Sequence, residues 1–189
     1  MIRLFFAINL PPDSCERIAA ESQALRDAAP SVAWVRTPLL HITLKFLGAQ
    51  DELLIENLTV AAAGVAAHCP PLRLSFAQYG AFPNLHRPRV VWLGMTSGAD
   101  ATTRVATELD RACVALGIPG ETRPFRAHLT LGRVRKELST TERAALSDAA
   151  VRCSSQETAV IQSLELMRSD LGPGGPRYTT VATLPLGGS

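Results

Sequence analysis

The sequence lacks the features that mark membrane, secreted and metal-binding proteins. No apolar run in its 189 residues approaches the roughly 20 residues that a membrane-spanning helix needs. Its four cysteines lie far apart, without a C-x-x-C pair, and no two Cys or His residues have the spacing of zinc ligands. We therefore expect free thiols in a reducing, cytoplasmic compartment, no attachment to a membrane and no bound metal.

An excess of charge of one sign is also missing. Nineteen Lys and Arg residues face 17 Asp and Glu residues, so the formal net charge is +2. This balance is compatible with a nucleic-acid ligand but does not indicate one. Apolar residues make up 47% of the chain and charged residues 19%, which is typical of a globular protein and excludes a disordered one.

The apolar N-terminal segment does not have the pattern of a secretory signal. Its charged part is a single residue, Arg3, and two prolines follow the apolar run at once, at positions 11 and 12. We interpret this segment as a buried first strand.

Histidine is scarce, and two of the four histidines begin nearly the same tetrapeptide. His41 and His128 are each followed by x-Thr-Leu, in HITL and HLTL. With Thr and Leu each at roughly 5–10% of positions, two such matches among four histidines arise by chance on the order of once in several thousand sequences. Residues i and i+2 of a strand share a face, so each copy presents an imidazole beside a hydroxyl, Thr43 or Thr130. This set of groups suits acid–base chemistry on a phosphate ester.

Strict alternation divides the first motif strand into two faces. From residue 41 to residue 46 the odd positions carry polar side chains and the even positions carry apolar ones, and Leu47 follows on the odd face. We therefore predict that Phe46 packs in the core. Lys45 shares the polar face, where a solvated lysine at a strand end is at least as good an interpretation as a functional one.

Strand and helix patterns follow each other along the whole chain. Strands are predicted near residues 1–10, 32–35, 41–47, 72–79, 89–93, 125–134, 159–168 and 177–184, and helices near 14–27, 52–67, 97–116 and 141–149. A turn rich in Gly and Pro, residues 172–176, joins the last two strands. We predict an α+β fold of two similar lobes with antiparallel sheets and outer helices, which face each other across a central cleft lined by both motifs. Because no long linker is visible, residues 1–189 are expected to form a single two-lobed domain.

The two motifs and their flanking sequences resemble the two-histidine phosphoesterases. Four segments narrow the resemblance to the RNA 2′,3′-cyclic phosphodiesterases, also called 2′-5′ RNA ligases. They are residues 3–8 (RLFFAI), 41–48 (HITLKFLG), 88–94 (PRVVWLG) and 125–133 (FRAHLTLGR). The resemblance spans nearly the whole chain with the segments in the right order.

This resemblance implies a role for each motif residue. His41 would be the proton donor and His128 the proton acceptor, while Thr43 and Thr130 hold phosphate oxygens and Arg133 helps to neutralise the substrate. It also implies two lobes with a pseudo-two-fold relation, no metal and no cofactor. The expected substrate is RNA with a 2′,3′-cyclic phosphate end, which is hydrolysed to a 2′-phosphomonoester, and a 2′-5′ linkage can be formed or cleaved reversibly. We expect a monomer.

The arginine that binds the phosphate is left open by the residues themselves. Strict alternation points Arg133 away from the face of His128, unless Gly132 marks a bulge or a strand end that reorients it. Arg126, two residues before His128, falls on the same face as the motif without any bulge. Alternation favours Arg126, whereas the resemblance favours Arg133.

Other interpretations of the chain and of its remaining rare residues also stay open. The substrate could be another cyclic or 2′-5′ phosphate, such as an ADP-ribose cyclic phosphate or a 2′-5′ oligoadenylate. A non-catalytic module that binds RNA ends and a metal-dependent hydrolase are weaker alternatives. His68 is expected to cap a helix, and Trp34 and Trp92 to lie in the core. His86 and the arginines beside it form a basic loop that suits either RNA phosphates or plain solvent.

Overall fold

Two antiparallel sheets make up the centre of the molecule. The structure is a computed structural model that describes residues 1–172 and 175–187, and within them the chain forms nine strands and five α-helices. Sheet 1 has the strand order β3 (His41–Gln50), β1 (Ile2–Asn9), β8 (Ser163–Gly172) and β9 (Gly175–Pro185). Sheet 2 has the order β2 (Ala33–Trp34), β6 (His128–Arg133), β5 (Val90–Ser97), β4 (Leu72–Phe82) and β7 (Thr158–Ile161).

The helices cover the sheets and join them. Their bounds are α1 (Pro12–Glu21), α2 (Gln23–Ala28), α3 (Ile55–Ala67), α4 (Ala99–Ala115) and α5 (Thr140–Arg152). Helix α3 packs on β8 and β9 of sheet 1, α5 packs on β4 of sheet 2, and α4 contacts strands of both sheets. Among the described helices, none combines the length and the apolar character needed to cross a membrane.

The architecture confirms the predicted α+β class with two antiparallel sheets and outer helices. The sheets do not correspond to the two halves of the chain, because sheet 1 combines β1 and β3 with the C-terminal strands β8 and β9, and sheet 2 combines the short strand β2 with β4 to β7 from the middle of the chain. Counted outward from the motif strands, the order β3-β1-β8-β9 parallels the order β6-β5-β4-β7. The pseudo-two-fold relation between the lobes stays a prediction.

Three element predictions need refinement. The single helix predicted over 14–27 is two helices, α1 and α2, which separate at Ser22. The single strand predicted over 159–168 is two strands, β7 and β8, which separate at Gln162 and join different sheets. Strands β8 and β9 extend into the turn predicted at 172–176, since Gly172 pairs with Gly175 and Leu171 with Pro176, and residues 173 and 174 lie outside the described residues.

One hydrophobic cluster contains residues from both sheets. Phe6 and Ile42 of sheet 1 and Leu93 and Leu129 of sheet 2 all belong to it, and each is fully buried. Fully burying a side chain of this size stabilises the fold by about 1.5–3 kcal/mol. The shared core is what brings the two motif strands together.

A β-bulge in β3 overturns the predicted alternation beyond Thr43. Along β1 the partner of Ala7 is Thr43 and the partner of Phe6 is Lys45, so Leu44 is an extra residue that reverses the faces after it. The prediction that Phe46 packs in the core is therefore wrong, and its side chain is 59% exposed. The interpretation of Lys45 as a solvated residue is wrong for the same reason, since Lys45 is buried.

Candidate active site

The two motifs lie on neighbouring strands of different sheets. Strand β3 is the edge strand of sheet 1, strand β6 lies between β2 and β5 in sheet 2, and the two approach within 8 Å between Cα atoms. His41 and Thr43 are half-buried, as are His128 and Thr130, whereas the residues between them are buried. Each strand therefore turns its imidazole and its hydroxyl to one face and its apolar residues to the core, as predicted.

Both histidines are held by the same backbone contact. The ring Nδ1 of His41 lies 2.8 Å from the carbonyl oxygen of Leu39, and Nδ1 of His128 lies 2.6 Å from that of Arg126, two residues upstream in each case. A carbonyl oxygen only accepts, so Nδ1–H is the donor and the ring tautomer is set. Nε2 of each ring is then left to exchange a proton. In His41 it lies 3.1 Å from the hydroxyl oxygen of Thr43.

The surroundings lower the pKa of both histidines. For His41 and for His128, burial is the largest cause, and the nearby positive charge of Arg133 lowers the pKa further. The hydrogen bond to the backbone carbonyl acts in the opposite direction in each case. Both imidazoles therefore favour the neutral form more than a free histidine does.

A second bulge accounts for the position of Arg133. Along β5 the partner of Val91 is Gly132 and the partner of Trp92 is Thr130, so Leu131 is the extra residue. The bulge reverses the alternation, and Arg133 shares the face of His128 and Thr130. A bulge that reorients Arg133, which the sequence left open, is thus present at Leu131, one residue before Gly132.

Arg126 also lies beside the second motif. Its guanidinium carbon is 5.8 Å from the ring centroid of Phe82, a cation–π contact, and it lines the same cavity as His128. The structure therefore places Arg126 beside His128 and Arg133 close enough to both histidines for its charge to lower the pKa of each.

Aromatic rings support each histidine. The rings of Phe5 and Tyr178 both lie 5.2 Å from that of His41, and the ring of Tyr178 meets it edge to face. The ring of Phe82 lies 5.0 Å from that of His128, also edge to face. Sequence reasoning missed Tyr178, because it lies on β9 with no motif around it and no local pattern that relates it to His41.

A cavity of about 290 Å³ opens beside His128. Its walls include Phe82, Trp92 and Arg126, so it combines flat rings with a cation. The prediction that Trp92 lies in the core is wrong: it pairs with Thr130 and therefore shares the open face of the sheet. Its indole packs against Gly80, where a Cβ would clash with the ring.

Of the other singled-out residues, His68 and His86 lie away from the motifs, whereas Trp34 is on β2 and pairs with Gly132 beside the second motif. His68 follows the last residue of α3, and its Nδ1 donates to the carbonyl oxygen of Gly64 at 2.7 Å, which fits the predicted capping role. Trp34 packs against the core, as predicted. His86 lies in the exposed loop between β4 and β5.

Comparison with known proteins agrees with this architecture. The family model of the 2′-5′ RNA ligase superfamily matches residues 10–173. A protein of Aquifex aeolicus named RNA 2′,3′-cyclic phosphodiesterase is 32% identical over 82% of each chain. A protein of Archaeoglobus fulgidus with the same name is 31% identical over 94% of this chain and 96% of its own. The solved structure of a Thermus thermophilus protein superposes with a TM-score of 0.80 at 28% identity and covers the whole of both chains.

The matched region includes both motif strands and Arg133, and it covers most of the chain. The fold, the paired motifs and the sequence comparison agree with the resemblance drawn from the sequence. The chain belongs to the 2′-5′ RNA ligase superfamily.

Proposed function

We propose that the protein hydrolyses the terminal 2′,3′-cyclic phosphate of RNA to a 2′-phosphomonoester, and that it forms and cleaves 2′-5′ linkages reversibly. The observation that carries the proposal is the identical anchoring of His41 and His128 by a carbonyl two residues upstream. In each imidazole the Nδ1–H tautomer leaves Nε2 for proton exchange, as paired proton transfer requires, and in His41 this Nε2 contacts the hydroxyl of Thr43. The names of the relatives supply the substrate class.

The reaction needs a base on one side of phosphorus and an acid on the other. His128 Nε2 takes a proton from water as the water oxygen attacks phosphorus, and the bond from phosphorus to the ribose 3′ oxygen breaks. His41, protonated at Nε2, gives its proton to that oxygen, which leaves a 3′-hydroxyl and a 2′-phosphate. The assignment of donor and acceptor follows the family resemblance, and the two roles exchange in the reverse direction.

Charge on the phosphate oxygens also has to be stabilised. The hydroxyls of Thr43 and Thr130 donate to the non-bridging oxygens, and Arg133 supplies a positive charge that acts on the space between the histidines. The proposal includes a monomeric enzyme in the cytoplasm that works without a metal ion.

The direct test is hydrolysis of a short RNA that ends in a 2′,3′-cyclic phosphate, in the presence of EDTA. We expect a 2′-phosphate product and a loss of roughly 10²–10⁴-fold in kcat for His41→Ala and for His128→Ala. His68→Ala is the matched control, because His68 caps a helix outside the site, and it should keep wild-type activity.

Three results would contradict parts of this proposal. Near-full activity of either motif variant removes that histidine from the mechanism, and activity that disappears with EDTA removes the metal-free chemistry. Tight binding of the RNA end without any turnover would instead indicate a binding module.

A further inference from the structure

A second cavity, of about 560 Å³, lies at the end of β6 and is strongly basic. We call it the basic groove and define it by its charged and titratable lining residues, His86, Arg87, Arg89, Arg135, Lys136, Glu137 and Arg143. Five of these side chains are cationic and one is a carboxylate. The protein as a whole has a net charge of only +2, so positive charge is concentrated here.

The cations of the groove are mostly not neutralised by the protein itself. Among the described residues, Arg143 is the groove cation with a carboxylate within 4 Å, and its partner Glu137 is 3.7 Å away and 90% exposed. Elsewhere arginines form close pairs, such as Arg17 with Glu157 at 2.6 Å. Like charges held together without partners repel, and an anionic ligand relieves that repulsion.

The groove adjoins the candidate active site. One wall of the groove is formed by residues 86–89 and the other by residues 134–138. The two walls are joined at Val134, whose backbone N–H donates to the carbonyl oxygen of Arg89 at 2.9 Å. The residue before Val134 is Arg133, which faces the histidines. The loop between β4 and β5 forms a turn in which the side chain of Asn84 accepts from the backbone N–H groups of His86 and Arg87, each at 3.0 Å.

We propose that the basic groove binds the backbone phosphates of the RNA nucleotides that precede the terminal cyclic phosphate; this rests on the function proposed above. Guanidinium groups match phosphate oxygens in a two-pronged geometry, and four of the five groove cations are arginines. A protein partner fits less well, because interfaces are anchored by exposed aromatic and apolar residues. Of the three apolar lining residues, Pro88 and Leu138 are buried and Val134 is half-buried.

The test compares affinity for RNA between groove and control variants. The double variant Arg135→Gln/Lys136→Gln removes two exposed cations, and Arg87→Gln removes one from the opposite wall. Arg104→Gln is the matched control, since Arg104 is exposed on α4 and lines neither cavity. The probe is a 5′-fluorescein-labelled single-stranded RNA of about ten nucleotides, followed by fluorescence anisotropy.

We expect Kd to rise about tenfold for the double variant and less for Arg87→Gln, with no change for Arg104→Gln. The slope of log Kd against log salt should fall by about 0.7 for each phosphate that a variant no longer binds. A Kd and slope equal to those of Arg104→Gln would overturn the proposal. Equal binding of a polyglutamate peptide of the same charge would overturn the assignment to RNA.

Hydrolysis of a 2′,3′-cyclic mononucleotide separates this proposal from the one on which it rests. A mononucleotide has no upstream phosphates, so the double variant should hydrolyse it within about twofold of the wild-type kcat/KM. Absence of turnover by the wild-type protein contradicts the proposed function. The anisotropy measurement tests RNA binding by the basic groove independently of turnover. A loss of mononucleotide turnover in the double variant that matches its loss of RNA affinity would place these cations in the active site and overturn the upstream assignment.

Discussion

The charge of Arg133 acts on both candidate catalytic histidines. Burial is the main cause that lowers the pKa of His41 and His128, and the Arg133 cation lowers both further because it disfavours a second positive charge nearby. The same side chain is exposed to the cleft, where a phosphate would meet it. In the proposed mechanism a single residue therefore acts on the phosphate charge and on the pKa of both histidines.

We expect Arg133→Gln to shift the pH profile of kcat/KM toward higher pH. Removing the cation raises the pKa of both histidines, so the acid and the alkaline limbs both move upward, and kcat/KM at the optimum falls roughly 10²-fold. The measurement is kcat/KM for a cyclic mononucleotide across the pH range.

Arg126→Gln is the matched control for this profile. Arg126 lies over Phe82, and the charge that lowers the pKa of His41 and of His128 is that of Arg133. In Arg126→Gln the acid and alkaline limbs of the kcat/KM profile should stay at the wild-type pH, even if the variant binds substrate more weakly. Coincident profiles for Arg133→Gln and the wild type would contradict the role given to Arg133.

At the scale of elements, a bulge at the leucine of each motif sets which side chains face the cleft. In β3 the bulge at Leu44 turns Lys45 inward, where its ammonium donates to Asp110 at 2.6 Å and to the carbonyl oxygen of Pro119 at 3.0 Å. Burial alone raises the pKa of Asp110, but the hydrogen bonds from Lys45 and from the backbone of Glu121, with the Lys45 charge, lower it overall. This ion pair ties the first motif strand to α4.

We expect Lys45→Met to lower the free energy of unfolding by about 3 kcal/mol. The substitution leaves the Asp110 carboxylate without its cation, and the cost lies at the lower end of the range for buried pairs because Asp110 is 25% exposed. Urea unfolding measures the change. The double variant Lys45→Met/Asp110→Leu removes both charges and should recover part of the loss.

The exposed ion pair of Glu108 and Arg111, which lies on α4 like Asp110, serves as the control for the buried pair. Both side chains are more than half exposed, so Glu108→Ala should cost less than about 1 kcal/mol. Equal costs for Lys45→Met and Glu108→Ala would show that the buried pair does not hold β3 in place.

At the scale of the whole molecule, the path of the chain links the two sheets. Sheet 1 is built from both ends of the chain and sheet 2 from its middle, and one hydrophobic cluster runs between them. Neither sheet can separate without breaking this common core. The predicted single domain over 1–189 should therefore unfold as one cooperative unit.

We expect one cooperative thermal transition with equal calorimetric and van't Hoff enthalpies. Ile42→Ala in sheet 1 and Leu129→Ala in sheet 2 both empty fully buried sites, and each should lower the same single Tm through a loss of about 2–5 kcal/mol. Val160→Ala, at a position that is 45% exposed, is the control and should change Tm little. Two transitions, each moved by one variant alone, would show two independent domains.

The sequence was most informative where a local pattern carries the information. The alternation within each H-x-T-L element predicted the pairing of His41 with Thr43 and of His128 with Thr130 on one face, because side-chain direction in a strand is set by the backbone. The same rule failed beyond Thr43 and placed Phe46 and Lys45 on the wrong faces. A bulge depends on the partner strand, and nothing in these residues marks it.

The sequence by itself determined the α+β class and the two motifs, since these depend on residue type and on short-range periodicity, and its resemblance to known sequences gave the family and the candidate acid and base. Only the tertiary structure decided that Arg133 faces the histidines, that Tyr178 lies against His41, and that the strand predicted over 159–168 divides between two sheets. Each of these results depends on contacts between residues far apart in the chain. Such contacts are fixed by the packing of one sheet against the other, which no local pattern encodes.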